Sequence, residues 1–175
     1  MSREEIAELL EAKCQELLDL LNSQPDTSWT DGPAGKWTTG QHVLHLIQSL
    51  KPLNRALSMP KFILRYKFGK TNRELRDYET VVRRYHERLD LNRGITFGPS
   101  RDMKIPPLAD KNYLIDQLQI ENKKVQFMTR RWKEKDLDTL ILPHPLMGKM
   151  PVREMLMWSA YHVEHHCGTL QKYYS

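Results

Sequence analysis

Long segments of this chain repeat their apolar residues every three or four positions, and no other feature constrains the fold as strongly. Such spacing lines one face of an α-helix, whereas a half-buried strand alternates apolar and polar residues. The pattern predicts helices over residues 3–21, 38–58, 74–91, 112–134 and 152–173. No strand-like alternation is sustained, so we predict an all-α fold, a four-helix bundle with accessory helices.

The ends of these segments carry helix boundary residues. Thr38 and Gln41 have the form of a capping box at the start of the second predicted helix. Residues 22–36 and 142–150 are predicted connections, and a less regular stretch begins at Met59 and Pro60. Residues 92–110, with three prolines and two glycines, form the longest predicted irregular segment. A loop of that length in a small domain is often a lid or rim.

Composition favours one globular domain over residues 1–175. The chain has no apolar run near the ~20 residues of a membrane-spanning helix, so we expect no membrane partner. The acidic, amphipathic start does not resemble a signal peptide, which favours a cytoplasmic protein with two reduced cysteines. The net charge is +5, and basic residues cluster at 61–70 and 130–135. Interspersed acidic residues favour solvated faces over a nucleic-acid partner.

Three histidines lie within the last predicted helix, in the sequence YHVEHH. At about 100° per residue, His166 lies roughly 40° from His162 on the apolar face, and His165 lies roughly 60° to the other side. Imidazoles at positions i and i+4 can reach one metal ion. The alternative is a helix with buried, hydrogen-bonded histidines, since burying imidazoles costs free energy unless they are satisfied. Glu164 points away from the pair.

The second predicted helix offers a third ligand. His45 is better centred in its apolar pattern than His42. We therefore predict a metal site of His45, His162 and His166, whose three ligands would leave a position open for water or substrate. The candidates to surround or orient these ligands are His42, His165 and Trp158. His86 and His144 are expected on the surface or in loops. Glu154, early in its helix, is expected in a dipole or capping role.

Two stretches resemble the DinB-like superfamily of helical bundles, which includes proteins described as metal-dependent hydrolases. The first is KWTTGQHVLHL, and the second is HPLMGKMPVREMLMWSAYHVEHHCGTL, where a His-Pro…Gly turn precedes a helix ending in His-x-x-His-His. The resemblance implies an up-down-down-up bundle and places the metal ligands on His45, His162 and His166. It also implies a nickel or zinc ion and, often, a homodimer.

Relatives in that superfamily include thiol-dependent transferases that use mycothiol or bacillithiol. The chain departs from the family pattern after its paired histidines, where Cys167, Gly168 and Thr169 replace the usual Arg-x-Gln. This departure affects contacts around the site and leaves the three ligands in place.

Three functions remain open from the sequence. The first is a metal-dependent enzyme acting on an unidentified small molecule by hydrolysis or thiol transfer, although no clear general base is present and the catalytic residues are unknown. The second is a non-catalytic metal-binding or stress-related interaction protein. The third, a basic nucleic-acid binder, rests on charge alone.

Overall fold

The computed structural model describes residues 1–94 and 102–174, and it confirms the predicted all-α fold. The helices of this described part are α1 (Arg3–Ser23), α2 (Thr27–Thr30), α3 (Thr39–Ser58), α4 (Lys61–Phe68), α5 (Tyr78–Leu91), α6 (Lys111–Arg131), α7 (Glu134–Thr139) and α8 (Val152–Tyr174). A short 3₁₀ turn at Leu108–Asp110 leads into α6. No helix within the described ranges is both long and apolar enough to cross a bilayer.

Four helices, α1, α3, α6 and α8, form the bundle, and contacts at their ends give its direction. Arg130 at the end of α6 pairs with Glu4 at the start of α1, so these helices are antiparallel. The Trp132 indole after α6 donates to the carbonyl of Leu57 at the end of α3, so α3 and α6 are parallel. Arg153 at the start of α8 donates to the carbonyl of Met1, just before α1, so α8 and α1 are parallel. The order is therefore up-down-down-up.

The core lies between these four helices and is filled by aliphatic side chains with a few aromatic ones. Burial of this apolar surface supplies the main favourable term in folding. The largest fully buried side chains are Trp29, Ile6, Leu10, Leu17, Leu21, Leu46, Leu50, Leu57, Leu64, Leu118, Leu137 and Met150.

The long crossover from α3 to α6 is anchored to the start of α8. Glu154 is fully buried, and each of its carboxylate oxygens accepts from Arg73 at 2.6 Å. It also accepts from the backbone N–H of Arg76 at 2.8 Å. The predicted helix at 74–91 therefore begins later, at Tyr78, because Arg73 and Arg76 bind this carboxylate. Asp77 caps the helix by accepting from the Thr80 N–H. Glu154 therefore forms ion pairs with two arginines of the crossover, whereas the sequence predicted only a dipole or capping role.

Two local predictions were wrong. Part of the connection predicted at 142–150 belongs to an antiparallel hairpin of β1 (Ile141–His144) and β2 (Gly148–Pro151), with Leu142 opposite Met150. These strands are too short to show alternation, and buried apolar contacts stabilise them. The stretch after Pro60 is helix α4, which packs on the core through Leu64. Residues 95–101, within the predicted irregular segment at 92–110, lie outside the described residues.

Candidate metal centre

The start of α3 places two histidines at the wall of the bundle. The capping box predicted at Thr38 and Gln41 is present, with Thr38 Oγ1 accepting from the Gln41 N–H and the Gln41 side chain accepting from the Thr38 N–H. This box satisfies two N–H groups at the helix end and fixes where the helix begins. His42 and His45 then follow within the first two turns, His42 buried and His45 partly so.

Helix α8 brings the second pair of histidines to the same place. His162 and His166 are buried one turn apart on its inner face. The Nε2 of His162 lies 3.1 Å from the Nε2 of His45 and 3.0 Å from the Nε2 of His166. All three ligand atoms lie within 4.8 Å of one another. The structure thus brings together the three residues that the sequence selected as ligands.

These separations fit one divalent ion. Nitrogens about 2.0–2.1 Å from a shared ion are roughly 2.8–3.0 Å apart at octahedral corners and roughly 3.3–3.4 Å apart at tetrahedral ones. The two short Nε2–Nε2 distances fall between these values. Among the described residues, this trio is the one group of His, Cys, Asp or Glu side chains so arranged. The donor atoms of this cluster can therefore hold a metal ion.

His42 contacts this trio from behind His166. Its Nδ1 lies 2.7 Å from the Nδ1 of His166, and both rings are buried. If the His166 Nε2 lone pair faces a metal, the His166 proton lies on Nδ1 and donates to His42. A ligand imidazole is commonly oriented in this way, by an acceptor on its other nitrogen. A metal at Nε2 thus assigns the His166 proton to Nδ1 and makes the His42 Nδ1 the acceptor.

Aromatic rings wall the cluster. Trp158 stacks on His162, with ring centroids 4.5 Å apart and planes within 21°. Trp37 lies 4.9 Å from the His45 ring, and its plane is within 6° of the His166 plane. The Trp158 indole N–H is buried and has no hydrogen-bond partner among the described residues. A buried donor without a partner costs free energy, so an acceptor on a bound molecule would relieve it.

The remaining histidines also lie near the cluster. His165 is half-buried and is not part of the trio, and its ring lies 5.7 Å from that of Tyr85. His86 is exposed as expected, and its Nε2 lies 2.5 Å from the Tyr161 hydroxyl. His144 is buried, so its predicted surface position was wrong. Its Nδ1 accepts the N–H groups of the hairpin turn, and its ring lies 4.1 Å from that of Trp158. The His-Pro pair before a turn was the sequence pattern that could have indicated the position of His144 at the hairpin.

Burial keeps these imidazoles neutral. Desolvation lowers the pKa of His42 and of His45 to about 4, with a smaller effect from neighbouring imidazolium charge. The same causes lower the pKa of His162 and of His166 well below 6.5. Burial alone lowers the pKa of His144 to about 4. Neutral imidazoles are the form that binds metal ions, so burial prepares the cluster for one.

Two cavities lie next to the cluster. One of about 220 Å³ is bounded by Trp37, His42, Thr169 and Tyr173 and therefore reaches the back of His42. A larger surface pocket of about 620 Å³ runs along the end of α8 and includes His165. Neither is lined by His45, His162 or His166. Glu164 points away from the cluster, as predicted, and pairs with Lys13.

The fold and cluster define a class of protein, an up-down-down-up helical bundle with a histidine site between its second and last bundle helices. A model of the DinB superfamily matches residues 9–170. The chain therefore belongs to the DinB superfamily, which confirms the resemblance seen in the sequence. No curated protein matches the chain significantly.

Proposed function

We propose that the protein binds a divalent metal ion through His45, His162 and His166 and uses it on a small-molecule substrate. The observation that carries this proposal is the convergence of three Nε2 atoms between α3 and α8. Three imidazoles without a carboxylate, two of them buried and the His45 ring partly so, form a donor set suited to zinc or nickel. Either metal is consistent with the expectation from the family.

The chemistry we propose is hydrolysis or transfer of a thiol. An ion held by three neutral ligands keeps its full double charge and, when bound, can activate a water molecule or a thiol. The protein's own groups would orient the substrate. Trp158 offers its unpartnered N–H beside His162, and the buried Tyr85 ring lies 6.3 Å from the His162 ring. Burial raises the pKa of Tyr85, so its hydroxyl would act as a hydrogen-bond donor.

A non-catalytic metal-binding or stress-related interaction protein is the second candidate. Its support is the burial of His162 and His166 and the lining of the two cavities described above, which includes none of the three proposed ligands. In that case the ion would join α3 to α8 and stabilise the bundle. A homodimer and a cytoplasmic location remain predictions from the sequence.

Elemental analysis of untagged protein, purified without chelators, tests the metal proposal. We expect about one zinc or nickel ion per chain, and its loss in the His162→Ala variant. The exposed His86→Ala variant is the matched control and should retain the ion. Protein that contains no metal and takes up neither zinc nor nickel in calorimetric titration would leave a hydrogen-bonded histidine cluster as the correct description.

Cobalt substitution separates the two candidates. A thiol that reaches an open position on cobalt should add an intense thiolate charge-transfer band to the absorption spectrum. A spectrum that does not change with any added thiol, together with no hydrolytic activity, would favour the non-catalytic role.

A further inference from the structure

The positive charge of the protein is concentrated in one segment. Residues 51–73 contain seven Lys and Arg and no Asp or Glu. The net charge of the whole chain is only +5, so the remaining residues are net negative. This segment comprises the last turns of α3, all of α4 and the start of the crossover. The net charge is therefore unevenly distributed along the chain, and this basic segment includes α4.

Helix α4 also presents two aromatic side chains to solvent. Phe62 is 73% exposed and Tyr66 is 92% exposed, whereas Leu64 between them is buried in the core. Residues four apart lie on the same helix face, so the two rings project together from the outer side of α4. Exposed large apolar groups beside one another, rimmed by polar residues, commonly mark an interaction site.

The tertiary fold adds the second basic cluster of the sequence to this surface. Lys61 Nζ lies 2.8 Å from the centre of the Trp132 ring, which places residues 130–135 beside α4. Lys149 on β2 reaches the Phe68 carbonyl, at the end of α4, at 3.5 Å. Basic residues distant in sequence thus lie beside α4.

Most of these cations are available to a partner. Arg73 and Arg130 form ion pairs within the protein. Lys61 is held over the Trp132 ring and Lys51 lies near Glu121. The other four basic residues of the segment occur in none of the ion pairs of the described chain, namely Arg55, Arg65, Lys67 and Lys70. An anionic partner would meet their charges without displacing an internal carboxylate.

We propose that this basic aromatic surface, formed by Phe62 and Tyr66 with the α4 cations Arg65 and Lys67, docks on a bilayer that contains anionic lipids. Basic helices with exposed aromatic residues lie in the membrane interface, where the rings enter the headgroup region and the cations attract anionic lipids. The protein would bind peripherally, since no helix of the described ranges can span the bilayer. The expectation of no membrane partner was based on the lack of a spanning helix, which peripheral docking does not require.

The shape of the surface favours a bilayer over single-stranded nucleic acid. Proteins that bind single strands combine stacking aromatics with a basic groove that follows the backbone. Here the rings stand on the outer ridge of a helix whose opposite side is packed on the core. A ridge with projecting rings suits a broad, deformable surface. The candidate metal centre lies near the start of α3, so docking does not require the metal proposal to be correct.

Flotation of the full-length protein with phosphatidylcholine vesicles, with and without phosphatidylglycerol, tests the proposal. We expect binding only to the anionic vesicles, and weaker binding as salt is raised, because salt screens exposed charges. Each of Arg65→Gln and Lys67→Gln should lower the partition coefficient about fivefold, the effect of one basic residue near an anionic surface. Phe62→Ser and Tyr66→Ser should also lower it at constant charge.

Matched controls keep the test specific. Arg83→Gln and Arg93→Gln remove exposed charges from other parts of the chain, and Tyr113→Ser removes an exposed ring from α6. These variants should bind like the parent protein, and thermal melts should show that all variants fold. Absence of binding to anionic vesicles at low salt, or equal losses in the controls, would overturn the proposal. Binding of a single-stranded oligonucleotide that depends on Phe62 and Tyr66, without vesicle binding, would overturn it in favour of nucleic acid.

Discussion

His162 occupies the centre of the histidine cluster, because its Nε2 is the atom close to both of the other proposed ligands. His165 lies three positions later and has a half-buried ring among the aromatic residues of the α5–α8 contact. The two histidines are therefore similar in sequence position but different in what they contact. This difference gives a test at the scale of single residues.

We predict that His162→Ala largely abolishes binding of zinc or nickel, because one of three ligands is lost. His165→Ala should cost at most about 10–100-fold in affinity, the range typical for residues around the ligands. Isothermal titration calorimetry of both variants measures the difference. Equal losses would show that the assignment between His165 and its neighbours is wrong.

At the scale of elements, Glu154 joins the crossover to α8. Its carboxylate is fully buried and held by Arg73 and Arg76, so losing either arginine leaves part of a buried charge without a partner. Truncating one partner of a buried ion pair is strongly destabilising, whereas exposed pairs contribute little.

We predict that Arg73→Ala lowers the free energy of unfolding by about 3–5 kcal/mol. The matched variant Arg83→Ala, which breaks the exposed pair with Glu87, should cost less than about 1 kcal/mol. Urea unfolding followed by circular dichroism measures both. Similar small effects would mean that the Glu154 pairing does not hold the crossover in solution.

Two glycines within bundle helices should respond oppositely to alanine. A Cβ at Gly168 meets nothing within 4 Å, so Gly168→Ala should stabilise α8 by roughly 0.5–1 kcal/mol through helix propensity. A Cβ at Gly40 would lie 2.8 Å from the Trp29 carbonyl oxygen, so Gly40→Ala should destabilise. Thermal melts of the two variants check the prediction. A stabilised Gly40→Ala variant would contradict the close approach of α2 to α3.

At the scale of the whole molecule, buried histidines set the response to acid. The pKa of His42, His45 and His144 is lowered from 6.5 to about 4 by burial. Above pH 6.5 these imidazoles are neutral in both the folded and the unfolded chain. As the pH falls from 6.5 towards 4, only the unfolded chain takes up protons, so the free energy of unfolding decreases. Below about pH 4 the folded chain is protonated too, and the loss levels off.

We predict a loss of about 1.4 kcal/mol per pH unit for each histidine that is protonated only in the unfolded chain. Urea unfolding between neutral and acidic pH measures the slope. His144→Asn keeps an acceptor for the hairpin N–H groups and should reduce the slope by one histidine's share. A stability that is flat over this range would contradict the neutral, buried state of these rings.

Metal binding should add to this pH dependence. Because protons compete with the ion for the three imidazoles, a chelator should lower the melting temperature near about pH 7.5 and have little effect after acid has released the ion. Protein that holds stoichiometric metal yet melts identically without it would show that the ion contributes little to folding. The enzymatic role would then gain over the structural one.

Local rules in the sequence were sufficient for several features. The capping box at Thr38 and Gln41 and the i, i+4 pair of His162 and His166 depend on neighbours within a few residues, so helical geometry alone predicts them. The selection of His45 followed from the apolar pattern of α3. These features required only that the predicted helices form and bury their apolar faces.

Only the tertiary structure decided the rest. The contact of His42 with His166 and the burial of His144 against Trp158 join residues far apart in sequence, which no local spacing encodes. The same is true of the Glu154 ion pairs and of the joining of two basic clusters by Lys61 and Trp132. Helical periodicity records which face of a helix is buried, but the partners that meet there depend on how the helices pack. The sequence by itself therefore determined the four bundle helices and the three proposed ligands, and packing determined what surrounds them.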